Sequence, residues 1–163
     1  MDKKFLFVMA GYDETTEKYL AGIQQKLYDK GYIGEHTKNL PQHITLGTFE
    51  VEKEEEIKEL VCRVARSAKA FSITFNHVGI FGGARVLFVA PDPNRSLLEL
   101  KQIFGDSHDW TPHTTMLIDQ PEKIYEALPI VMEDFKAFEG KVTSLHLYEF
   151  WPTRFISTEH FIL

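Results

Sequence analysis

Apolar positions along the chain fall into two kinds of pattern, short strand-like runs and stretches that recur every three or four residues. Residues 4–10 form an apolar, strand-like run. Asp13 then stands where a helix N-cap belongs, with Glu14 and Glu17 in the turn after it. Leu20, Ile23 and Leu27 follow at helical spacing, and Gly31 is a natural stop. Residues 32–40 read as a loop. Residues 42–49 alternate as a strand, with Ile44, Leu46 and Thr48 on one face and His43, Thr45 and Gly47 on the other. Ile57, Leu60, Val61, Val64, Ala65 and Ala68 make one stripe of a second helix. Glu52 and Glu54 to Glu56 crowd its start and Arg63, Arg66 and Lys69 its end, both matching the helix dipole.

The second half repeats this order. Residues 71–81 and 84–90 read as strands joined in a hairpin at Gly82-Gly83. After a break at 91–94, Leu97, Leu100 and Phe104 predict a short helix ending at Gly105, and 112–118 a further strand. A helix from about Glu122, interrupted near Pro129, precedes closing strands at 142–150 and 154–163, with a turn at Trp151-Pro152. Leu6-Phe7-Val8 opens a series of strand, helix, strand, helix, strand. Leu87-Phe88-Val89 opens another. Interleaved strands and helices with no dividing linker predict one α+β domain over residues 1–163, built of two similar lobes.

Composition narrows the function classes. The 163 residues are 44% hydrophobic and 26% charged, an ordinary globular balance. Lys3-Lys4 and the apolar run after them resemble a signal peptide only faintly, because the run is short and Tyr12-Asp13-Glu14 ends it without a cleavage site. No run approaches the roughly 18 apolar residues of a membrane helix. Cys62 is the one cysteine, so no internal disulfide forms; a reducing, cytoplasmic setting is the expectation. A net charge of −6 argues against a protein that coats long nucleic acid, while leaving a small nucleotide or a locally gripped RNA end as ligand.

Chemistry enters through one motif found twice, His43-Ile44-Thr45-Leu46 and His113-Thr114-Thr115-Met116. On a strand, residues i and i+2 share a face, so each copy sets an imidazole beside a hydroxyl. Two such pairs across a pseudo-twofold would flank one phosphate. A neutral imidazole would take a proton from water while a protonated one supplies the leaving oxygen, and the threonines would hydrogen-bond the phosphate oxygens. A lone His-x-Thr is a weak signal, more often a half-buried polar strand residue. The weight lies in two copies in the same register at equivalent points of the repeat. His36, His77, His108, His146 and His160 lack a threonine two residues on.

These stretches resemble the two-histidine (2H) phosphoesterase superfamily, and within it the bacterial 2′-5′ RNA ligases that act as RNA 2′,3′-cyclic phosphodiesterases. Residues 41–46 are similar to that family's first motif and 110–116 to its second; 78–88 resemble the hairpin between them and 145–148 its late strand. The resemblance implies a bilobal α+β fold with antiparallel sheets lining a central cleft. It also implies His43 and His113 as the catalytic pair, Thr45 and Thr115 on the phosphate, and no cofactor. Thr114 departs from the family's usual apolar residue; facing away from the cleft, it is expected to matter little.

Weaker candidates for base or phosphate contacts are Trp110, Tyr148 and Arg85, with Arg154 a further cation whose simplest role is solvated surface charge. Cys62 reads as packing. Three functions compete: a metal-independent phosphoesterase opening 2′,3′-cyclic phosphates of nucleotides or RNA ends, a non-catalytic nucleotide- or RNA-end-binding module of the same fold, and a metal hydrolase with both histidines as ligands. The last lacks a matching carboxylate motif. A monomer is the default expectation for the oligomeric state.

Overall fold

The computed structural model describes residues 3–35 and 38–162; His36 of the predicted loop lies outside them. The chain runs β1 (Phe5–Tyr12), α1 (Glu14–Asp29), β2 (His43–Glu50), a 3₁₀ turn (Val51–Lys53), α2 (Glu54–Ser67) and β3 (Phe71–Phe81). It continues with β4 (Val86–Pro91), α3 (Arg95–Phe104), β5 (Thr114–Ile118), α4 (Pro121–Met132), β6 (Phe138–Phe150) and β7 (Arg154–His160).

All strands join one antiparallel sheet in the order β2-β1-β6-β3-β4-β5, with β7 also on β6. Exchanging β1 with β4, β2 with β5 and β3 with β6 turns that order into itself read backwards, which is the pseudo-twofold relation the repeat predicts. Strand β6 makes the join. Its first residues pair with β3 (Val142 with Phe71), and the rest pair with β1 and β7.

Helix boundaries follow their caps. Asp13 accepts a hydrogen bond from the Thr16 amide at 3.0 Å, and Asn94 one from the Leu97 amide at 2.9 Å. Apolar stripes of the four helices (Leu20 and Leu27, Ile57 and Val61, Leu97 and Phe104, Ile124 and Val131) bury against Leu6, Val8, Ile44, Leu117 and Leu147 in one continuous core. One face of the sheet is thereby covered, and the His-x-Thr pairs look out from the other.

The structure departs from the predicted elements in three places. Helix α4 runs through Pro129 instead of breaking there. The proline removes the bond to the carbonyl of Tyr125, whose side chain is exposed, so that turn is open to water. The 82–85 turn takes its left-handed residue at Arg85, with φ 58°, and not at either glycine. Gly47 faces α3, not the side of His43 and Thr45: a Cβ there would lie 2.5 Å from the Phe104 carbonyl oxygen. The cause is an irregularity of β2 at Leu46, where the pairing with β1 shifts register.

Candidate active site

Both motifs are built alike. In β2, Met9 pairs with Thr45 and the next residue back, Val8, pairs with Gly47, which leaves Leu46 as an extra residue. In β5, Phe88 pairs with Thr115 and Leu87 with Leu117, leaving Met116 extra. The hydrophobic fourth position of each motif is therefore a β-bulge, and both side chains are buried in the core. The bulge ends the alternation that carries His and Thr on the open face, which is why Gly47 turns to the helices.

His43 opens β2, and His113 stands one residue before β5. Their rings are held identically. His43 Nδ1 lies 2.7 Å from the carbonyl oxygen of Pro41, and His113 Nδ1 2.8 Å from that of Thr111. A carbonyl only accepts, so each Nδ1 carries the hydrogen and each neutral ring keeps its lone pair on Nε2. Two rings in the same tautomer result, each able to take or give a proton at Nε2. Burial pushes both imidazoles below their ordinary pKa of 6.5, and the charge of His113 adds to the effect at His43. The His113 ring also packs against Phe81 (4.7 Å, edge-on) and Phe88 (5.4 Å).

The ends of the sheet path, β2 and β5, come together across the gap between lobes. Thr114 spans it. Its hydroxyl donates to the His43 carbonyl at 3.0 Å and sits 2.6 Å from the Tyr12 phenol. Since the threonine hydrogen is spent on the carbonyl, Tyr12 is the donor in the second bond. Burial holds the phenol neutral by raising its pKa well above the ordinary range. Thr114 is 1% exposed and lines the cleft, where strand alternation predicts a side chain facing away from it. Ahead of His43, the Glu17 carboxylate accepts from the Gln42 amide at 2.9 and 3.0 Å, fixing the chain as it enters β2.

His43, Thr45, Thr114 and Thr115 line a single cleft of about 390 Å³, with Met9 and Phe150 among its apolar walls. No Lys or Arg side chain lines it among the described residues. Nor do three or more His, Cys, Asp or Glu side chains gather anywhere among those residues to hold a metal ion. The weaker candidates are dispersed. Trp110 packs against the core with Lys101 Nζ 5.5 Å from its ring centre and is not among the cleft-lining residues. Arg85 is paired with Glu35 at 3.2 Å, outside the lining. Arg154 is bonded to Glu149 and Glu54. Tyr148 stands on the open face beside Phe150. Cys62 is half-buried.

One residue on the site's face carries no signal in the motif pattern. His146 on β6 bonds Thr158 through Nδ1 at 2.7 Å, and its Nε2 lies over Gly11, the register partner of His43. Burial first, then the neighbouring His43 and His160, push its pKa down to about 4. Its place in the late strand is the one feature of the sequence that points to it.

The sequence model of the 2′-5′ RNA ligase superfamily matches residues 13–150. A search of curated protein sequences finds no match. Among solved structures, E. coli LigT in its apo form superposes with a TM-score of 0.66 at 18% identity, covering 100% of both chains. E. coli LigT complexed with 3′-AMP gives 0.65 at 17% identity, over 99% of this chain and 100% of that one. TT0787 of Thermus thermophilus gives 0.60 at 17% identity, over 96% and 97%. At such identities the likeness is one of fold: a mixed α+β architecture around an antiparallel sheet. His43, Thr45 and Thr115 of the two motifs line one cleft, and His113 is not among its lining residues. With the family's sequence pattern spanning most of the chain, the protein belongs to the 2′-5′ RNA ligase superfamily of two-histidine phosphoesterases.

Proposed function

We propose that the protein is a phosphoesterase that opens 2′,3′-cyclic phosphates of nucleotides or RNA ends by acid–base catalysis between His43 and His113, without a metal. The observation that carries this reading is the matched anchoring of the two rings. Each donates Nδ1–H to the carbonyl two residues back, which leaves both Nε2 atoms for proton transfer. One neutral imidazole takes a proton from water as the hydroxyl attacks phosphorus. The P–O3′ bond breaks, and the departing O3′ takes the proton of the other, protonated imidazole. Thr45 and Thr115 donate hydrogen bonds to the non-bridging oxygens as charge builds there. The product is a 2′-phosphomonoester.

No helix among the described residues is long and apolar enough to cross a membrane. With the single, half-buried Cys62, the reading places the enzyme in the cytoplasm. Hydrolysis of adenosine 2′,3′-cyclic phosphate in EDTA tests the chemistry, with phosphorus NMR to locate the product phosphate. Turnover that survives the chelator and yields the 2′-phosphate supports the proposal. Loss with EDTA and return with zinc or manganese moves the chemistry to a metal, and tight binding without turnover makes the chain a binding module.

A further inference from the structure

The rings of His43 and His113 are anchored alike, but the peptides that anchor them differ one bond further back. His43 Nδ1 donates to the carbonyl of Pro41, and the N–H of that same peptide unit belongs to Gln42. The Gln42 N–H donates to the Glu17 carboxylate, 2.9 and 3.0 Å from its two oxygens. Carboxylate, peptide and imidazole thus form one chain of hydrogen bonds through the Pro41–Gln42 peptide. In the second motif the anchoring carbonyl is that of Thr111, and the next residue is Pro112. A proline nitrogen carries no hydrogen, so no carboxylate can reach His113 by the same route.

Such a chain acts on His43. A carboxylate at the N–H end of a peptide makes its carbonyl oxygen more negative, because hydrogen bonds in series polarise one another. A more negative oxygen grips Nδ1–H harder, which holds the proton on Nδ1, keeps Nε2 for proton transfer and favours the imidazolium. The link is also fixed in place. Gln42 is 6% exposed, its side-chain amide donates to Gln24 at 2.8 Å, and Gln24 donates in turn to the Met116 carbonyl of the second motif at 3.1 Å. Burial raises the pKa of the half-buried Glu17, and the Gln42 bond works against that rise. Glu14, in the same first turn of α1, is exposed and paired with Lys18 at 2.9 Å. The helix dipole accounts for an acidic residue at either position, but not for the grip of Glu17 on Gln42.

We propose that Glu17 is a positioning residue for His43, acting through the Pro41–Gln42 peptide, and that this support is given to one histidine of the pair alone. The inference rests on the reading of His43 and His113 as the acid–base pair. The other titratable groups around His43 are His113, His146 on β6, the Tyr12 phenol on β1 and Glu35 in the cleft lining, and the route passes through none of them.

NMR titration of the histidine ring nitrogens in the parent, Glu17→Gln and Glu14→Gln proteins tests it, beside steady-state kinetics on adenosine 2′,3′-cyclic phosphate. Glu17→Gln keeps an acceptor for the Gln42 amide and removes the charge. It is expected to lower the pKa of His43 by about 0.5–1, to move His113 by much less, and to lower kcat about 3- to 30-fold with KM little changed. Glu14→Gln, the control for the helix dipole, is expected to leave both histidines and kcat unchanged. In the parent, protonation of Glu17, followed on the Gln42 amide, is expected to register at the ring nitrogens of His43 and not at those of His113, a measurement that needs no variant to fold. Equal movement of the two histidines, the same effect from Glu14→Gln, or a loss of kcat with His43 unmoved overturns the positioning role. Silence of His43 in the parent titration overturns it as well. A parent without turnover overturns the proposed function instead, and the titrations then decide the link between Glu17 and His43 by themselves.

Discussion

The hydroxyl of Thr114 lies 3.0 Å from the carbonyl oxygen of His43, a bond between residues on the two strands that end the sheet path. With Tyr12 donating to the same hydroxyl, it forms a chain from β1 through β5 to β2. Thr114→Val keeps the shape but leaves the Tyr12 phenol and the His43 carbonyl unpaired in a buried place. It is expected to cost about 1–3 kcal/mol of stability. If the chain positions the catalytic pair, kcat falls by up to ~10²-fold with KM little changed, and Thr114→Ser restores it. Steady-state kinetics beside urea unfolding separate the two effects; an unaltered kcat in a destabilised Thr114→Val leaves the residue a purely structural bolt.

The imidazoles of His43 and His113 are both held below 6.5 by burial, which fixes the direction of the pH dependence if they are the acid–base pair. The pH profile of kcat/KM reports the free enzyme, where one ring must be neutral and the other protonated. Both limbs of its bell should therefore fall below about pH 6.5. A bound phosphate anion favours the imidazolium, so the alkaline limb of kcat should lie at higher pH than that of kcat/KM. Profiles of the two parameters on one cyclic nucleotide check this. An alkaline limb of kcat/KM well above about pH 7 would contradict a buried, neutral pair.

His146 makes the native state sensitive to acid. Its folded pKa of about 4 lies below the ordinary 6.5, so the unfolded chain binds the proton more readily. Stability is full above about pH 6.5 and is lost as pH falls toward 4, on the order of 1–3 kcal/mol. The urea midpoint should drop between about pH 7.5 and 4.5, and by less in His146→Gln. His43 and His113 shift in the same direction, so part of the drop persists in that variant. Gly11→Ala offers a second handle, because its Cβ would lie 2.4 Å from both His146 Nε2 and Ser144 Oγ. That crowding should destabilise the protein by about 1–3 kcal/mol at any pH.

How much of the fold and the site is legible in the sequence depends on how far apart the determining residues are. Helical stripes and caps are local, and Asp13 and the α2 stripe stand where the pattern puts them. The paired motifs are legible because strand alternation sets His beside Thr without reference to the rest of the chain. The bulges at Leu46 and Met116 are not, since a bulge exists only in the register with a partner strand. Plain alternation puts Gly47 on the wrong face for that reason. The same alternation turns Thr114 away from the site, yet its bond to His43 spans 71 positions and follows from the closing of two lobes. His146 reaches the site across β1, through the room left by Gly11, a contact no spacing along the chain encodes.

The division of labour among the four motif residues gives the most direct test of the proposed chemistry. Water attack and departure of O3′ belong to one displacement, so the base and the acid act on the same transition state. Removing either proton partner is typically worth ~10²–10⁴-fold in rate. His43→Ala and His113→Ala should each fall by that order, and the double variant should be little worse than either, because residues that act as a unit do not add. Thr45→Val and Thr115→Val each remove one donor to the developing charge. Each should lower kcat by at most ~10²–10³-fold, and by less where the hydroxyl keeps contact with water. Both threonines are half-buried, so their losses should be alike. The two lobes present the same anchored ring and the same bulge, which makes matched losses at His43 and His113 the outcome that geometry requires. Near-parental turnover in both single histidine variants, on every cyclic phosphate the parent accepts, would remove the acid–base assignment and leave a nucleotide-binding module built on this fold.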